Sequence, residues 1–400
     1  MNQLSKAILA SSALAVLSLS LAGCRQHDFP QYPANYREYV YVSNGQSNTV
    51  TILDVVNLRL DRELAVGIHP LAVLPNPVKN EVYVLNGGQA GSQGSISVIN
   101  AEHNAVEATI QVGAAPVSLE VSPDGKLAYV ANSGSNSVSV VDLKTRRELT
   151  QIGVGEAPSA TRISPDRKTL VVTNRAAGSV SLVQLPAPSS ATSYPVRAVF
   201  SGCPGATSPV VLPDSTKAYV ACADGHQILS IQLARAAQPA TQQAPALAAH
   251  PDRLETILDV GQGPVELALK PDGGELFVLN SKSGSISEVA TGAANVGGAY
   301  MIGNHPIHGI VSADNSTLYV SNIDSQYVTL YAIDDGKRAG SVHVGDGPSA
   351  LAFSAARHLL FVVDTGSNDV AAIRTSNHSL FTLMPSGRGS NAIADKSFQM

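Results

Sequence analysis

The sequence predicts an all-β fold, a β-propeller of eight four-stranded antiparallel blades, and three observations predict it. One short phrase recurs eight times: Tyr41-Val42-Ser43-Asn44, Tyr83-Val84-Leu85-Asn86, Tyr129-Val130-Ala131-Asn132, Val171-Val172-Thr173-Asn174, Tyr219-Val220-Ala221-Cys222, Phe277-Val278-Leu279-Asn280, Tyr319-Val320-Ser321-Asn322 and Phe361-Val362-Val363-Asp364. By subtraction the phrases begin 42, 46, 42, 48, 58, 42 and 42 residues apart. A strand-rich repeat of about 40–45 residues is the mark of one four-stranded sheet per repeat. A proline keeps the register: Pro70, Pro116, Pro158, Pro264, Pro306 and Pro348 each lie 13 residues before the next phrase, and in the fifth repeat that place is taken by Ala206.

Residues 1–24 read as a leader outside the fold. Lys6 gives a short positive start, and Ala7 to Leu21 is apolar or small without charge. That suits a signal-peptide core and is too short for a comfortable membrane span. The stretch ends in Leu21-Ala22-Gly23-Cys24, which resembles the lipobox of bacterial lipoproteins. The resemblance implies that Cys24 begins the mature protein and carries a lipid, so the lipid bilayer is an expected partner. Arg25 follows, rather than the aspartate that retains lipoproteins at the inner membrane. The expected place is the cell envelope, at the periplasmic leaflet of the outer membrane or the cell surface. Residues 25–38 read as a tether, 39–395 as one propeller domain and 396–400 as a C-terminal tail. The formal net charge is −5 and no basic run occurs, which excludes nucleic acid as an expected partner. The absence of Trp argues against tryptophan-bearing blades.

The third repeat shows the unit most clearly. Gly113-Ala114-Ala115-Pro116 leads into strand A, Val117 to Val121. Ser122-Pro123-Asp124-Gly125 is a turn, because Pro presets φ and Asp-Gly tolerates the reversal. Leu127 to Ala131 forms strand B, and Val138 to Leu143 alternates as strand C. Strand D follows Lys144-Thr145-Arg146-Arg147 and ends near Val154-Gly155. The Asn closing each phrase is expected to hydrogen-bond its own turn backbone.

These phrases resemble the YVTN family of β-propeller repeats over roughly residues 39–395. The resemblance implies a bacterial surface or periplasmic propeller, for which seven blades is the commoner number. Related propellers include lactonases and the haem-binding domain of cytochrome-type nitrite reductases, so the repeat alone assigns no activity. The first phrase lacks a strand A before it, while Gly387 to Ala394 matches Gly345 to Ala352 near the C-terminus. The C-terminal segment is therefore expected to supply strand A of blade one and close the ring.

Antiparallel strands put the Gly-x-x-Pro lead-in beside the Asn that ends strand B, on one face of the disc. Large polar residues gather at these lead-ins in the later blades: Gln262, Glu266, Asn304, His305, His308, Asp346 and Arg388. Other repeats hold Ala or Gly at matching places, so a blade does not need these groups. They form the candidate binding pocket near the axis. Glu266 and His308 hold matching places in neighbouring blades and could share a hydrogen bond and do acid–base work. With His305 they are the candidate catalytic residues. A spacing of three between His305 and His308 is not a zinc pattern on a strand. Glu120 and Arg162 also match in adjacent blades and read as an ion pair. No Cys-x-x-Cys-His, Gly-x-Ser-x-Gly or phosphate-loop motif occurs.

Cys203 replaces the lead-in Gly of the fifth repeat, and Cys222 replaces its phrase-ending Asn. The geometry that the family resemblance implies brings these places together, and a Cys203–Cys222 disulfide is expected in an oxidising compartment. Two insertions, Pro186 to Tyr194 and Ala234 to Arg253, lengthen the C–D connections of blades four and five. The expected function is a lipid-anchored, non-catalytic propeller without a cofactor that binds a protein or glycan of the envelope. The alternatives are an enzyme resembling the propeller lactonases and a haem- or redox-cofactor-binding propeller.

Overall fold

A computed structural model describes residues 30–186, 193–235 and 249–400. The leader and Cys24 lie outside the described residues, as does much of both expected insertions. The described residues form eight four-stranded antiparallel sheets. The eight-blade count is the one expected from the phrases, not the commoner seven. The innermost strands are Pro70–Pro75, Pro116–Val121, Pro158–Ile163, Ala206–Val211, Pro264–Leu269, Pro306–Val311, Pro348–Phe353 and Ser390–Gln399. Each contacts the inner strand of the next blade, and the last returns to the first, so the ring is closed.

Blade one is the mixed blade. Its three outer strands are Tyr36–Asn44, Thr49–Asp54 and Arg59–Ala65, and its inner strand is Ser390–Gln399 from the far end of the chain. Pairing runs from Tyr36 opposite Gln399 to Asn44 opposite Ser390. Residues 36–38 and 396–399, read above as tether and tail, are therefore part of this sheet. The extension buries Glu38 and Phe398 at the far end of the pair.

There is no single core. Buried apolar side chains divide into eight clusters, one in each seam between adjacent blades. Strand B is buried on both faces, which is why Tyr83-Val84-Leu85 and its counterparts are continuous apolar runs. Tyr41, Tyr83, Tyr219, Tyr319, Phe277 and Phe361 fill the seams in place of tryptophan. Outer strands such as Arg147–Gly153 are mostly exposed.

The repeating Asn has a partner other than the expected turn backbone. Its Nδ2 donates to hydroxyls on strand C: Asn132 to Ser137 and Ser139, Asn174 to Ser179 and Ser181, and Asn280 to Ser285 and Ser287. The lead-in glycine lies against the same amide. A Cβ on Gly113 would come within 2.5 Å of Asn132 Cγ, and Gly67, Gly155, Gly261, Gly303 and Gly387 meet their asparagines alike. Lead-in Gly, phrase Asn and strand-C hydroxyls thus form one packed polar unit per blade. The third lead-in residue has a left-handed backbone, with φ of 54° at His69, 48° at His305 and 66° at Gly347. That accounts for the frequent Gly there.

Blade eight breaks the unit. Asp364 stands where Asn is usual, and Asp369 replaces the first hydroxyl. Asp364 is fully buried. Burial first, and then the neighbouring Asp369, push its carboxyl up to about 8, against a backbone hydrogen bond from Gly345 that lowers it. A folded value above the unfolded one means the folded state holds the proton. Stability from this site is full below about pH 4 and falls as pH rises towards 8, by at most about 1.4 kcal/mol per pH unit. Asp364→Asn restores the usual amide, which can donate to Asp369. We expect equal stability of variant and wild type near pH 4 and a gain of more than about 1 kcal/mol for the variant at pH 8. Urea melts across that range check this, and parallel curves at every pH would refute it.

Candidate functional site

Each inner strand pairs only with strand B of its own blade, which leaves its other edge facing the axis. Side chains two and four places beyond the proline bridge these free edges around the ring. Thr161 N donates to Ser118 Oγ at 3.4 Å, Leu267 N to Ser208 Oγ at 3.0 Å and Ile163 N to Glu120 Oε1 at 3.3 Å. The unpaired edge is thereby partly satisfied by side-chain oxygens of Ser118, Ser208 and Glu120.

Four larger residues, Glu120 among them, stand at these places. His308 Nε2 faces Glu266 Oε1 at 3.9 Å across the seam of blades six and seven. The expected hydrogen bond is not formed: at 3.9 Å the two groups stand beyond hydrogen-bond reach, at the separation of an ion-pair contact. His308 Nδ1 is buried without a hydrogen-bond partner among the described residues. Glu120 and Arg162 form the expected ion pair, Nη1 to Oε2 at 3.5 Å, and Arg162 Nε also donates to Pro209 O at 3.4 Å.

These two pairs feel each other. Burial raises the Glu266 carboxyl above its ordinary range, while the charges of His308 and then Arg162 oppose that rise. Burial likewise raises Glu120, against Arg162 and a backbone hydrogen bond from Ile163. The axis therefore holds two carboxyls biased towards protonation, one guanidinium and one imidazole with a spare nitrogen. Such a set can donate to and accept from a polar ligand. The Glu120–Arg162 part was read from the sequence only as an ion pair. Its position four after the proline, on the same strand as the Glu266 and His308 places, is the signal that ties it to the axis.

The other candidates do not join this cluster. His305 is exposed, and its Nδ1 donates to Asp324 Oδ2. Gln262 lines a groove of about 610 Å³ with His226, Tyr300 and Met301. Asn304, Asp346 and Arg388 are exposed on the lead-in loops. Among the described residues, only Glu266 and His308 of the predicted group approach each other within ion-pair distance. No group of three His, Cys, Asp or Glu side chains is placed to hold a metal among the described residues.

No family model matches the chain, and no curated protein matches it in sequence. Solved structures do match in fold. The dihydro-haem d1 dehydrogenase NirN in complex with DHE superposes with a TM-score of 0.69 at 16% identity, over 92% of this chain and 76% of that one. AztD from Citrobacter koseri gives 0.61 at 13% identity, over 91% and 99%. A putative 6-phosphogluconolactonase from Bacteroides fragilis gives 0.56 at 15% identity, over 92% and 100%. At such identities the likeness establishes the propeller fold and leaves function to the residues.

Proposed function

We propose that this chain is a non-catalytic binding propeller of the YVTN repeat type, tethered in the bacterial envelope through Cys24. Its partner is a protein or glycan component of the envelope that presents a polar group to the axis. One observation carries the reading. Glu266, His308, Glu120 and Arg162 occupy inner-strand places that other blades fill with small or apolar residues, and they gather a polar set the ring does not need for closure. The lipobox at Leu21 to Cys24 supports the anchor, and the absence of a nucleophile motif supports binding over turnover.

A second reading draws on the fold-likeness to NirN and to the putative lactonase, together with the Glu266–His308 pair. In it the axis holds a cofactor or substrate, with Glu266 and His308 as acid and base.

Mass spectrometry of the protein purified from its own envelope separates the two. Under the proposal, the denatured mass is that of the chain from Cys24 plus lipid, and the native mass adds no tightly held small molecule. An envelope crosslinking partner is then lost in a Glu266→Ala/His308→Ala variant. Extra native mass that disappears on denaturation, and is absent from that variant, would favour the second reading. Crosslinking unchanged by the variant would remove the axis from the proposal.

A further inference from the structure

The seam that closes the ring, between blades eight and one, differs from the others in what it buries. Five places beyond the lead-in proline position, the inner strands carry Pro75, Val121, Ile163, Val211, Leu269, Val311 and Phe353, whereas the closing strand carries Asp395. Three places before the phrase, other blades hold residues that keep some exposure, such as Asn80, Lys126 and Ser316, while Glu38 is 1% exposed. Val40 pairs with Asp395 and Glu38 with Ser397. Glu38 and Asp395 are thus diagonal neighbours on one face of the sheet. Their carboxyls stand within hydrogen-bond reach of each other.

Two carboxyls bond to each other only if one carries a proton, and the surroundings choose which. Glu38 accepts from Ala355 N through Oε1 at 2.8 Å and from the Tyr36 hydroxyl through Oε2 at 2.5 Å, partners that favour an ionised carboxylate. Asp395 Oδ1 is buried with no hydrogen-bond partner among the described residues, which disfavours charge there. Asp395 therefore holds the proton. The titratable groups that face the pair supply little positive charge to replace it. Burial above all keeps the phenols of Tyr32, Tyr36 and Tyr41 protonated. Burial lowers the His358 imidazole, against Glu38, and the Lys396 ammonium, against Asp395. Lys396 Nζ is turned to Asn76 O at 2.8 Å. The N-terminal segment is moored at the same place. Tyr32 stacks on Tyr36 with centroids 4.8 Å apart, and its hydroxyl meets His358 Nε2 at 3.1 Å. Asn35 Nδ2 donates to Met400 O at 3.2 Å, and Met400 N to Asn35 O at 3.0 Å.

We propose that the proton between Glu38 and Asp395 is a latch: while it is held, residues 30–38 and 395–400 stay paired, and its loss towards alkaline pH releases them from each other. Burial first, and then Glu38, push the Asp395 carboxyl up to about 9. A folded value above the unfolded one places the proton in the paired state. Release therefore becomes easier as pH rises from about 4 towards 9, by up to about tenfold per pH unit. Hydrogen–deuterium exchange of residues 30–40 and 393–400 in the full chain, corrected for intrinsic rate and followed from pH 6 to 8.5, is the measurement. Protection in wild type should fall by up to about tenfold per pH unit. Asp395→Asn keeps a donor for Glu38 and cannot ionise, so its protection should exceed that of wild type by a margin that widens about tenfold per pH unit. Asp364 is present in both proteins and cancels from the comparison. Protection in wild type that stays flat with pH, a result that needs no variant, would overturn the proposal. Equal slopes in wild type and a folded Asp395→Asn variant would do the same.

Discussion

Deleting Ser390–Met400 is expected to abolish the cooperative fold, not merely to shorten it. That segment is the inner strand of blade one, and it is the only strand of that blade drawn from the C-terminal end of the chain. Its removal would bare the whole edge of Tyr36–Asn44. It would also withdraw Phe398 and Ala394 from the seam with blade two, and Ile393 from the seam with blade eight. Side-chain hydrogen bonds also staple the same strand to its neighbours. Ser43 Oγ donates to Asn391 Oδ1 at 2.6 Å, Asn391 Nδ2 to Pro70 O at 3.0 Å and Thr365 Oγ1 to Ser390 O at 2.7 Å. Burial of several apolar side chains at about 1.5–3 kcal/mol each, with these bonds, rivals the whole stability of a typical domain, about 5–15 kcal/mol. The seam is also where carboxyls crowd. Asp395 is pushed up to about 9, by burial first and then by Glu38. Glu38 in turn accepts from Ala355 N at 2.8 Å and from the Tyr36 hydroxyl. Circular dichroism melts of full-length and truncated chains are the measurement. A monomeric truncated protein that melts cooperatively within a few degrees of the full chain would show that the remaining blades hold the ring without closure.

How far the sequence reveals this molecule depends on the kind of information. The blade count, the strand order and the closing segment follow from a periodicity that any one blade imposes on its neighbours, and Gly387 to Ala394 could be aligned to Gly345 to Ala352 by eye. The extension of closure to Gln399 was not legible, because residues 396–399 carry no repeat signal in the sequence. The site was legible in part. Glu266 and His308 stand out against alanines at matching places, and they do face one another. Gln262, Asn304, Asp346 and Arg388 share the same kind of contrast, but Asn304, Asp346 and Arg388 stand exposed on the lead-in loops and Gln262 lines a separate groove.

Blade five tests whether the Gly, Asn and hydroxyl unit is one interdependent device. Cys203 and Cys222 form a disulfide there, with Cα atoms 4.8 Å apart and a sequence separation of 19. The bond is possible because a lead-in Cβ points straight at the phrase-ending side chain, the direction that forces glycine in most other blades. The rest of the unit has changed with it. The strand-C places that carry hydroxyls in blades three, four and six are Gln227 and Leu229 here, and Leu229 is fully buried. Cys203→Ser/Cys222→Ser should lose about 3 kcal/mol, the usual worth of a cross-link closing a loop of this size. Cys203→Gly/Cys222→Asn should fare no better, although it writes the commonest pair back into the blade. The new amide would be buried beside Leu229 with no hydroxyl to receive it, a further cost of about 1–3 kcal/mol. Adding Gln227→Ser/Leu229→Ser supplies both acceptors and should recover part of that second loss while leaving the first. Urea midpoints for the four proteins, with and without reductant, order them as wild type, then the quadruple variant and the Ser pair, then the Gly/Asn pair. Were the Gly/Asn pair to match wild type, neither the cross-link nor the hydroxyls would be holding this blade together, and the unit would be a packing coincidence repeated around the ring.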